Sequence, residues 1–178
     1  MPFEFEKLSL DGLILIKPKM FIDKRGFFME TFKKSEFSSN GINCDFLQDN
    51  HSRSFKNVIR GIHFQKEPKA QSKLVRCVRG EIYDVAVDLR KESKTYLKWY
   101  GVKLSDENGF MLFIPKGFGH AFLVLSEEAD VVYKCDEEYS PEHDCGIRYD
   151  DPSIGIKWGV SDPIVSEKDL KLPFLELK

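Results

Sequence analysis

"LVRCVRGEIYDVAVDLR", residues 74 to 90, carries the clearest structural pattern in this sequence. A turn is expected at Arg79-Gly80, because glycine readily takes the backbone conformations that tight turns require. After that turn the side chains alternate with a period of two. One set is Tyr83, Val85, Val87 and Leu89, and the other is Ile82, Asp84, Ala86 and Asp88. This period is typical of a β-strand, in which successive side chains point to opposite faces of the sheet.

Shorter segments of the same kind follow, separated by Gly, Pro, Asn or acidic clusters. They are Tyr96 to Leu104, Gly109 to Ile114, Ala121 to Leu125 and Val131 to Cys135. Strands at regular intervals without long helical patterns predict an all-β fold, a sandwich or barrel of the jelly-roll kind. Only a few short helices are expected. They are Lys33 to Ser39, ended at Asn40-Gly41, and a turn capped by Ser166 and ended before Pro173.

The composition is that of an ordinary globular protein. The chain has 178 residues, 42% of them hydrophobic and 31% charged, so we expect one core and a single domain over residues 1–178. A net charge of −2 does not favour nucleic acid as a partner, although a local cluster of Arg and Lys leaves room for a small anion. No apolar run approaches the ~20 residues of a membrane-spanning helix. The start of the chain does not read as a secretory signal and no Cys-x-x-Cys pair occurs, so we expect the reduced cytoplasm and no membrane.

Polar side chains interrupt several strands at positions that share a face. In "VIRGIHFQ", residues 58 to 65, His63 shares a face with Gly61 and Gln65. Lys73 and Tyr133 lie on faces of two later strands. Alternate side chains of a small barrel or roll face its interior. If these faces converge, the interior holds a base, a cation and a phenol, which together make an acid–base site.

Each of these residues also has a purely structural interpretation. A lone histidine such as His63 is more often a hydrogen-bonded structural residue than a catalyst. Lys73 fits a solvated charge on an exposed edge strand, and Tyr133 fits a core residue with its hydroxyl at the rim. Arg25 and Arg60 fit surface ion pairs of little energetic value. Only the combination of these residues points to a site.

A second pattern lies in "GFMLFIPKGFGHAF", residues 109 to 122. The spacing of Gly109, Pro115, Gly117 and His120 resembles the second signature of the cupin superfamily, in which Gly and Pro set a turn before an inward-facing histidine. Many cupins bind a metal through an earlier signature with two histidines and a glutamate. Here that stretch offers only His63, so we expect no metal. His120 is expected either to support the turn or to bind a ligand.

A colinear set of motifs identifies one family. The segments are "DKRGFFMETF", "QDNHSRS", "VIRGIHFQ", "QSKLVRCVRGEIYDVAVDLR", "IPKGFGHAF", "YKCDEEYSPE", "IRYDDPSIGIKW" and "PIVSEKDL". With them the chain resembles the dTDP-4-dehydrorhamnose 3,5-epimerases, metal-free cupins that invert two centres of a nucleotide-linked 4-keto-6-deoxy sugar. The resemblance implies an isomerase that converts dTDP-4-dehydro-6-deoxy-D-glucose to dTDP-4-dehydro-L-rhamnose. It also implies that no cofactor is used, and a homodimer whose pocket is shared between subunits.

The resemblance also implies roles for individual residues. His63 would be the proton acceptor, Tyr133 the proton donor, Asp169 the partner that orients His63, and Lys73 a neighbour of the substrate oxygen. A larger set would contact the nucleotide sugar, in part from the neighbouring subunit. That set is Arg25, Glu30, Gln48, Asn50, Arg60, Lys73, His120, Asp144 and Lys168. Asp144 stands where the family frequently has glutamate.

The chemistry explains why these residue types are needed. A ketone at C-4 acidifies the hydrogens on both adjacent carbons, so a base such as imidazole can remove either one. The negative charge on the enolate oxygen must then be stabilised by a cation, and we expect Lys73 to supply it with help from Arg60. Inversion requires an acid on the opposite face of the ring, and the phenol of Tyr133 suits that role. Phe27 and Phe28 are expected to fill the core, with packing near the nucleobase as the alternative.

Other functions remain open at this stage. A C-3-only or C-5-only epimerase for a related nucleotide-4-keto sugar would use the same groups. A metal-dependent cupin and a sugar-binding module without catalysis are the alternatives from other classes. The intact set of His63, Lys73, Tyr133 and Asp169 favours catalysis.

Overall fold

The computed structural model describes residues 2–176, so the predicted domain limits at residues 1 and 178 lie outside the described residues. Thirteen strands and two short helices follow one another within that range. The strands are β1 (Phe3–Lys7), β2 (Ile14–Pro18), β3 (Phe21–Asp23), β4 (Gly26–Phe28), β5 (Gln48–Phe55), β6 (Ile59–Gln65), β7 (Lys73–Arg79), β8 (Glu81–Asp88), β9 (Trp99–Ser105), β10 (Met111–Ile114), β11 (Phe118–Val124), β12 (Glu128–Cys135) and β13 (Asp144–Gly146). The helices are α1 (Lys34–Ser39) and α2 (Glu167–Leu170).

The strands form two large antiparallel sheets. The six-stranded sheet has the order β1-β2-β10-β7-β12-β5, and the five-stranded sheet has the order β13-β6-β11-β8-β9. β3 and β4 pair only with each other within the described chain. The predicted all-β jelly-roll sandwich is therefore confirmed.

The main core lies between the two large sheets. Val75, Leu112 and Val131 reach it from the six-stranded sheet, and Ala86 and Phe122 reach it from the five-stranded sheet. Apolar surfaces that face each other in this way are removed from water, which is the main favourable contribution to folding.

Strand β8 is buried on both faces. Val85 and Val87 point away from the main core and pack with Ile147 and Ile154, which come from the segment after β12. Because the later segment covers the outer face of β8, both faces of the strand are buried, and both sets of its alternating side chains are largely apolar. This arrangement also leaves Asp84, fully buried, on the side that faces the other sheet.

The structure shifts several predicted strand boundaries. The strand expected from Tyr96 begins at Trp99, because Leu97 has a φ of +63° and lies in a turn. The strand expected from Gly109 begins at Met111, and Gly109 also has positive φ. β11 extends three residues earlier than predicted, to Phe118. Left-handed residues break the extended geometry that a ladder requires.

Both predicted helices are present. α1 is followed by Asn40 and by Gly41, whose φ of +90° suits the end of a helix. At α2 the hydroxyl of Ser166 accepts a hydrogen bond from the backbone N–H of Asp169 at 3.1 Å, which is the predicted cap. None of the helices in residues 2–176 has the length and apolar character needed to cross a membrane.

The expectation that Phe27 and Phe28 fill the core is wrong within this chain. They lie on the β3–β4 hairpin and are 59% and 66% exposed. Phe21 and Ile22 on the facing strand are also exposed. The hairpin pairs with neither large sheet, so no described element covers its apolar side chains.

Candidate active site

The predicted convergence of polar faces is confirmed by a cavity of about 320 Å³ that His63, Lys73 and Tyr133 line together. His63 reaches it from β6 in the five-stranded sheet. Lys73 and Tyr133 reach it from β7 and β12, which are neighbours in the six-stranded sheet. The Lys73 Nζ atom lies 5.8 Å from the centre of the Tyr133 ring. A base, a cation and a phenol therefore face one another across the sandwich.

Glycine at position 61 allows β6 to approach β11 closely. Its φ is +119°, and a side chain there would place a Cβ atom 2.6 Å from the His120 carbonyl oxygen and from the Ala121 methyl group. The pairing of β6 with β11 is irregular at this point and resumes with His63 opposite His120. The "RGIH" segment thus needs glycine for conformation and for space.

His63 is held by a buried carboxylate. Its Nε2 atom lies 2.8 Å from Oδ1 of Asp169, which is only 4% exposed, and Oδ2 of Asp169 accepts the Gly61 amide at 3.2 Å. Burial by itself raises the pKa of the Asp169 carboxyl, but the hydrogen bond and charge of His63 outweigh it and lower that pKa overall. Nδ1 of His63 is therefore the nitrogen left for a substrate.

A second histidine–carboxylate pair lies beside the first. Nε2 of His120 is 2.7 Å from Oδ1 of Asp84, and both residues are buried. His120 is the cross-strand neighbour of His63, and its ring centre lies 6.5 Å from that of Tyr133. The Oδ2 atom of Asp84 has no hydrogen-bond partner within residues 2–176. The structure thus ties His120 to Asp84, and sequence reasoning missed that partner.

The interpretation of Lys73 as a solvated edge charge is wrong. β7 lies between β10 and β12, and Lys73 is only 9% exposed. Burial lowers the pKa of its ammonium group, while Cys135 and the charges of Asp84 and Asp144 partly oppose that shift. A poorly hydrated ammonium group interacts strongly with a nearby anion.

Tyr133 is kept in its neutral phenol form. Burial raises the pKa of its hydroxyl, and the charge of Arg60 partly offsets the increase. Arg60 itself is exposed, and its guanidinium donates to the Ser54 hydroxyl at 2.8 Å and to the Arg53 carbonyl at 3.2 Å. The structure therefore places Arg60 outside the cavity wall, but close enough for its charge to influence the pKa of the Tyr133 hydroxyl.

Four predicted contact residues line the cavity in addition to Lys73. They are Gln48, Asn50, Asp144 and Lys168. Oδ2 of Asp144 accepts hydrogen bonds from Nζ of Lys168 at 2.8 Å and from the hydroxyl of Tyr139 at 3.2 Å. These side chains place both charges and amides at the same opening.

Arg25 and Glu30 lie outside this cavity. The side chain of Arg25 is 84% exposed on the β3–β4 hairpin and pairs with Asp23. Glu30 lies in a different cleft beside Phe21 and Phe28, and its Oε2 atom is buried without a partner in the described chain. One chain therefore does not bring the whole predicted contact set together.

Four residues that the sequence did not assign also line the cavity: Phe64, Gln65, Gln71 and Tyr139. Gln65 and Gln71 share strand faces with His63 and Lys73, so the period of two could have identified them. Tyr139 comes from a loop after β12, where no period operates. In residues 2–176 no three His, Cys, Asp or Glu side chains cluster as metal ligands would.

Comparisons with known proteins agree with one another. A family model described as dTDP-4-dehydrorhamnose 3,5-epimerase matches residues 7–176. An epimerase of that name from Methanothermobacter thermautotrophicus is 58% identical over 94% of this chain and 91% of its own. A Bacillus anthracis crystal structure with TDP and PPi bound is 44% identical, covers 97% of this chain and 99% of its own, and has a TM-score of 0.95. A Legionella pneumophila structure in complex with dTDP-4-keto-L-rhamnose is 43% identical, covers 97% and 92%, and has a TM-score of 0.93.

Proposed function

The chain belongs to the dTDP-4-dehydrorhamnose 3,5-epimerase family, and we propose that it inverts C-3 and C-5 of dTDP-4-dehydro-6-deoxy-D-glucose to form dTDP-4-dehydro-L-rhamnose. The observation that carries this proposal is the shared cavity of His63, Lys73 and Tyr133, with Asp169 behind His63. These are the groups that an isomerase needs to move protons beside a ketone.

The first step is removal of a proton next to the C-4 ketone. Nδ1 of His63 takes it, because Asp169 already accepts from Nε2 and so fixes the tautomer. The ionised carboxylate then stabilises the imidazolium that forms. Imidazole is the side chain that most readily takes up and releases a proton near neutral pH.

Negative charge then develops on the C-4 oxygen. Two lysines line the cavity, but Lys168 is paired with Asp144, which leaves the buried ammonium group of Lys73 to meet this charge. Its poor hydration strengthens its attraction for the enolate. The enolate keeps its electrons for the return of a proton, so the sugar is neither oxidised nor reduced.

The new proton must arrive on the other face of the ring. Tyr133 is neutral and reaches the cavity from the opposite sheet to His63. Its phenol donates the proton to carbon and inverts the centre. Proton exchange with solvent returns the imidazolium of His63 and the phenolate of Tyr133 to their starting forms. The same steps at the second carbon then complete the reaction, because one ketone activates both neighbours.

A solvent-deuterium experiment tests this function. With the dTDP-linked 4-keto sugar in D₂O, NMR is expected to show deuterium at both C-3 and C-5 and to show the L-rhamno product. Deuterium at one carbon alone would replace the double epimerase by a single-centre epimerase. No exchange by folded protein would reject epimerase function altogether.

The proposal includes a homodimer with a shared pocket. Arg25 lies far out on a hairpin whose apolar residues are uncovered, as Phe27 and Phe28 show. A groove of about 330 Å³ on the outer face of the six-stranded sheet reaches Asn50 and Tyr133, which also line the cavity. The hairpin of a second copy, seated near this groove, would bring Arg25 toward the substrate.

Mixing two inactive variants tests the shared pocket. Arg25→Ala and His63→Ala, mixed under conditions of subunit exchange, should restore about a quarter of the wild-type sites by statistical pairing. The control is His63→Ala mixed with Tyr133→Phe, whose residues line the cavity of the same chain, so every hybrid site keeps one defect. Activity in the control, or none in the first mixture, would contradict the shared pocket.

A cytoplasmic location and one catalytic domain belong to the same proposal. Cys44 and Cys145 are partly exposed free thiols, and Cys77 and Cys135 are buried free thiols. Free thiols of this kind are typical of a reducing compartment.

A further inference from the structure

Residues 137–140, a loop that follows β12, are held by glutamine side chains of the cavity wall. Nε2 of Gln71 donates to the carbonyl of Glu137 at 2.8 Å. Gln65 uses both ends of its amide: Nε2 donates to the carbonyl of Glu138 at 3.2 Å, and Oε1 accepts the backbone N–H of Ser140 at 2.7 Å. The backbone of this loop is thus satisfied largely by two amide groups.

A third glutamine completes the arrangement. Oε1 of Gln48 accepts the backbone N–H of Tyr139 at 2.8 Å. Four consecutive loop residues therefore hydrogen-bond to side chains that also line the cavity. A glutamine amide carries a donor and an acceptor side by side, so it can replace the neighbouring strand that a loop lacks.

Gln65 and Gln71 are the members of this set that no role in the proposed reaction requires. Gln65 is only 5% exposed, and its Nε2 also donates to the carbonyl of Lys69 at 2.6 Å. A buried amide with three backbone partners has one allowed orientation. Its position therefore determines where residues 137–140 lie.

The loop carries Tyr139 to the mouth of the cavity. The ring of Tyr139 is about half exposed, lines the cavity and forms a hydrogen bond through its hydroxyl to Asp144, which also holds Lys168. An exposed aromatic face at the mouth of a nucleotide-sugar pocket suits a nucleobase, since every base presents a π-face.

We propose that Gln65 and Gln71 are positioning residues that set the nucleotide affinity of this site by fixing residues 137–140, and through them the ring of Tyr139. The inference rests on the proposed function only in taking a nucleoside diphosphate as the ligand. The glutamines act on binding of the nucleotide end, whereas His63 and Tyr133 act on the sugar.

The isosteric variants Gln71→Glu and Gln65→Glu test this inference. Each replaces an N–H donor by a carboxylate oxygen that faces a backbone carbonyl, which removes a hydrogen bond and adds repulsion. We expect the Kd for dTDP, measured by calorimetry, and the KM for the nucleotide sugar to rise roughly tenfold or more, the equivalent of about one lost hydrogen bond. The larger change should fall on Kd and KM, and the fall in kcat at saturation should be smaller than the rise in KM.

The pH dependence adds a readout that a general loss of stability would not produce. The repulsion requires an ionised carboxylate, and burial raises the pKa of such a group. Protonation converts it to a donor. The dTDP affinity of Gln71→Glu should therefore recover toward wild type as the pH is lowered, with no matching change in the wild-type protein.

Asn108→Asp is the matched control. The side-chain amide of Asn108 also stabilises a turn, through three hydrogen bonds to backbone groups of Lys103, Ser105 and Phe110. Asn108 does not line the cavity. The same chemical change there should lower the melting temperature and leave the Kd and KM as in wild type.

A double-mutant cycle distinguishes action through the loop from direct contact. In a Tyr139→Ala background, Gln71→Glu should add little further loss of dTDP affinity, because the group that it positions is gone. Additive losses, or a wild-type Kd in both glutamate variants, would overturn the inference. Gln71→Glu decides the matter alone if Gln65→Glu does not fold. Since dTDP binding is measured without turnover, failure of the epimerase assay leaves this test intact.

Discussion

Replacing Asp169 by asparagine changes one buried oxygen into an NH₂ group and leaves the shape of the side chain nearly unchanged. In the native protein both oxygens are acceptors, Oδ1 for Nε2 of His63 at 2.8 Å and Oδ2 for the Gly61 amide at 3.2 Å. Asparagine has only one acceptor oxygen. One of these two native donors must therefore face an N–H group in the variant.

Both orientations of the asparagine are costly. If its NH₂ group faces His63, the imidazole must carry its proton on Nδ1, the nitrogen proposed as the base, and the equivalent change in serine proteases lowers kcat by about 10⁴. If it faces Gly61, two donors oppose each other and the imidazolium loses its carboxylate. Replacing the carboxylate beside the imidazolium by a neutral amide costs up to about 3 kcal/mol, which corresponds to a slowing of roughly 100-fold. We therefore expect proton exchange to slow by about 10² to 10⁴.

Deuterium incorporation at C-3 and C-5, followed by NMR at saturating substrate, measures this loss. Asp130→Asn is the control: Asp130 is 6% exposed, accepts from Arg53 at 2.6 and 2.8 Å, and lies outside the cavity wall. It should lose stability and keep its exchange rate. Exchange by Asp169→Asn within about threefold of wild type would refute the assignment of Asp169 as the group that orients the base.

Three further outcomes are expected. Tyr133→Phe should retain some deuterium wash-in but lose net inversion in the same NMR assay, because removal of the hydrogen does not need the phenol. Lys73→Met should lower kcat about 100-fold or more through loss of the buried cation, with the Kd for dTDP unchanged by calorimetry. Asp88→Asn should destabilise the fold by about 3 kcal/mol in urea unfolding, because its fully buried carboxylate accepts from Arg90 and two hydroxyls. Burial raises the pKa of Asp88, but those hydrogen bonds hold it well below its ordinary value, so this stabilisation is complete above about pH 4 and is lost as the pH falls toward the folded pKa.

Each of these outcomes has a result that contradicts it. Complete loss of deuterium wash-in by Tyr133→Phe would contradict the assignment of proton removal to His63 and proton return to Tyr133. A kcat for Lys73→Met close to the wild-type value would show that Lys73 does not stabilise the enolate. Stability curves of wild type and Asp88→Asn that stay parallel into strong acid would show that the carboxylate charge does not stabilise this turn.

The local elements were predictable because their signals lie within a few residues. The period of two in residues 81–88 identified β8, and Ser166 identified the start of α2. Boundaries were less accurate: Leu97 adopts positive φ, which nothing in its side chain requires. The core placement of Phe27 and Phe28 failed because burial depends on what covers a hairpin, and residue type does not report that.

The candidate site was likewise predictable only where its signals are local. Alternation in the sequence limited His63, Lys73 and Tyr133 to one face of their strands, because successive side chains of an extended backbone point to opposite sides. The stacking of the two sheets settled which of those faces turn inward. No local pattern links Asp169 to His63, 106 residues earlier. The family resemblance implied that pair, and the folded chain shows it together with the Asp84–His120 pair, which the sequence did not indicate. Such pairs form where sheets stack and a distant helix docks. That packing follows from the whole set of buried surfaces, so no short stretch of sequence encodes it.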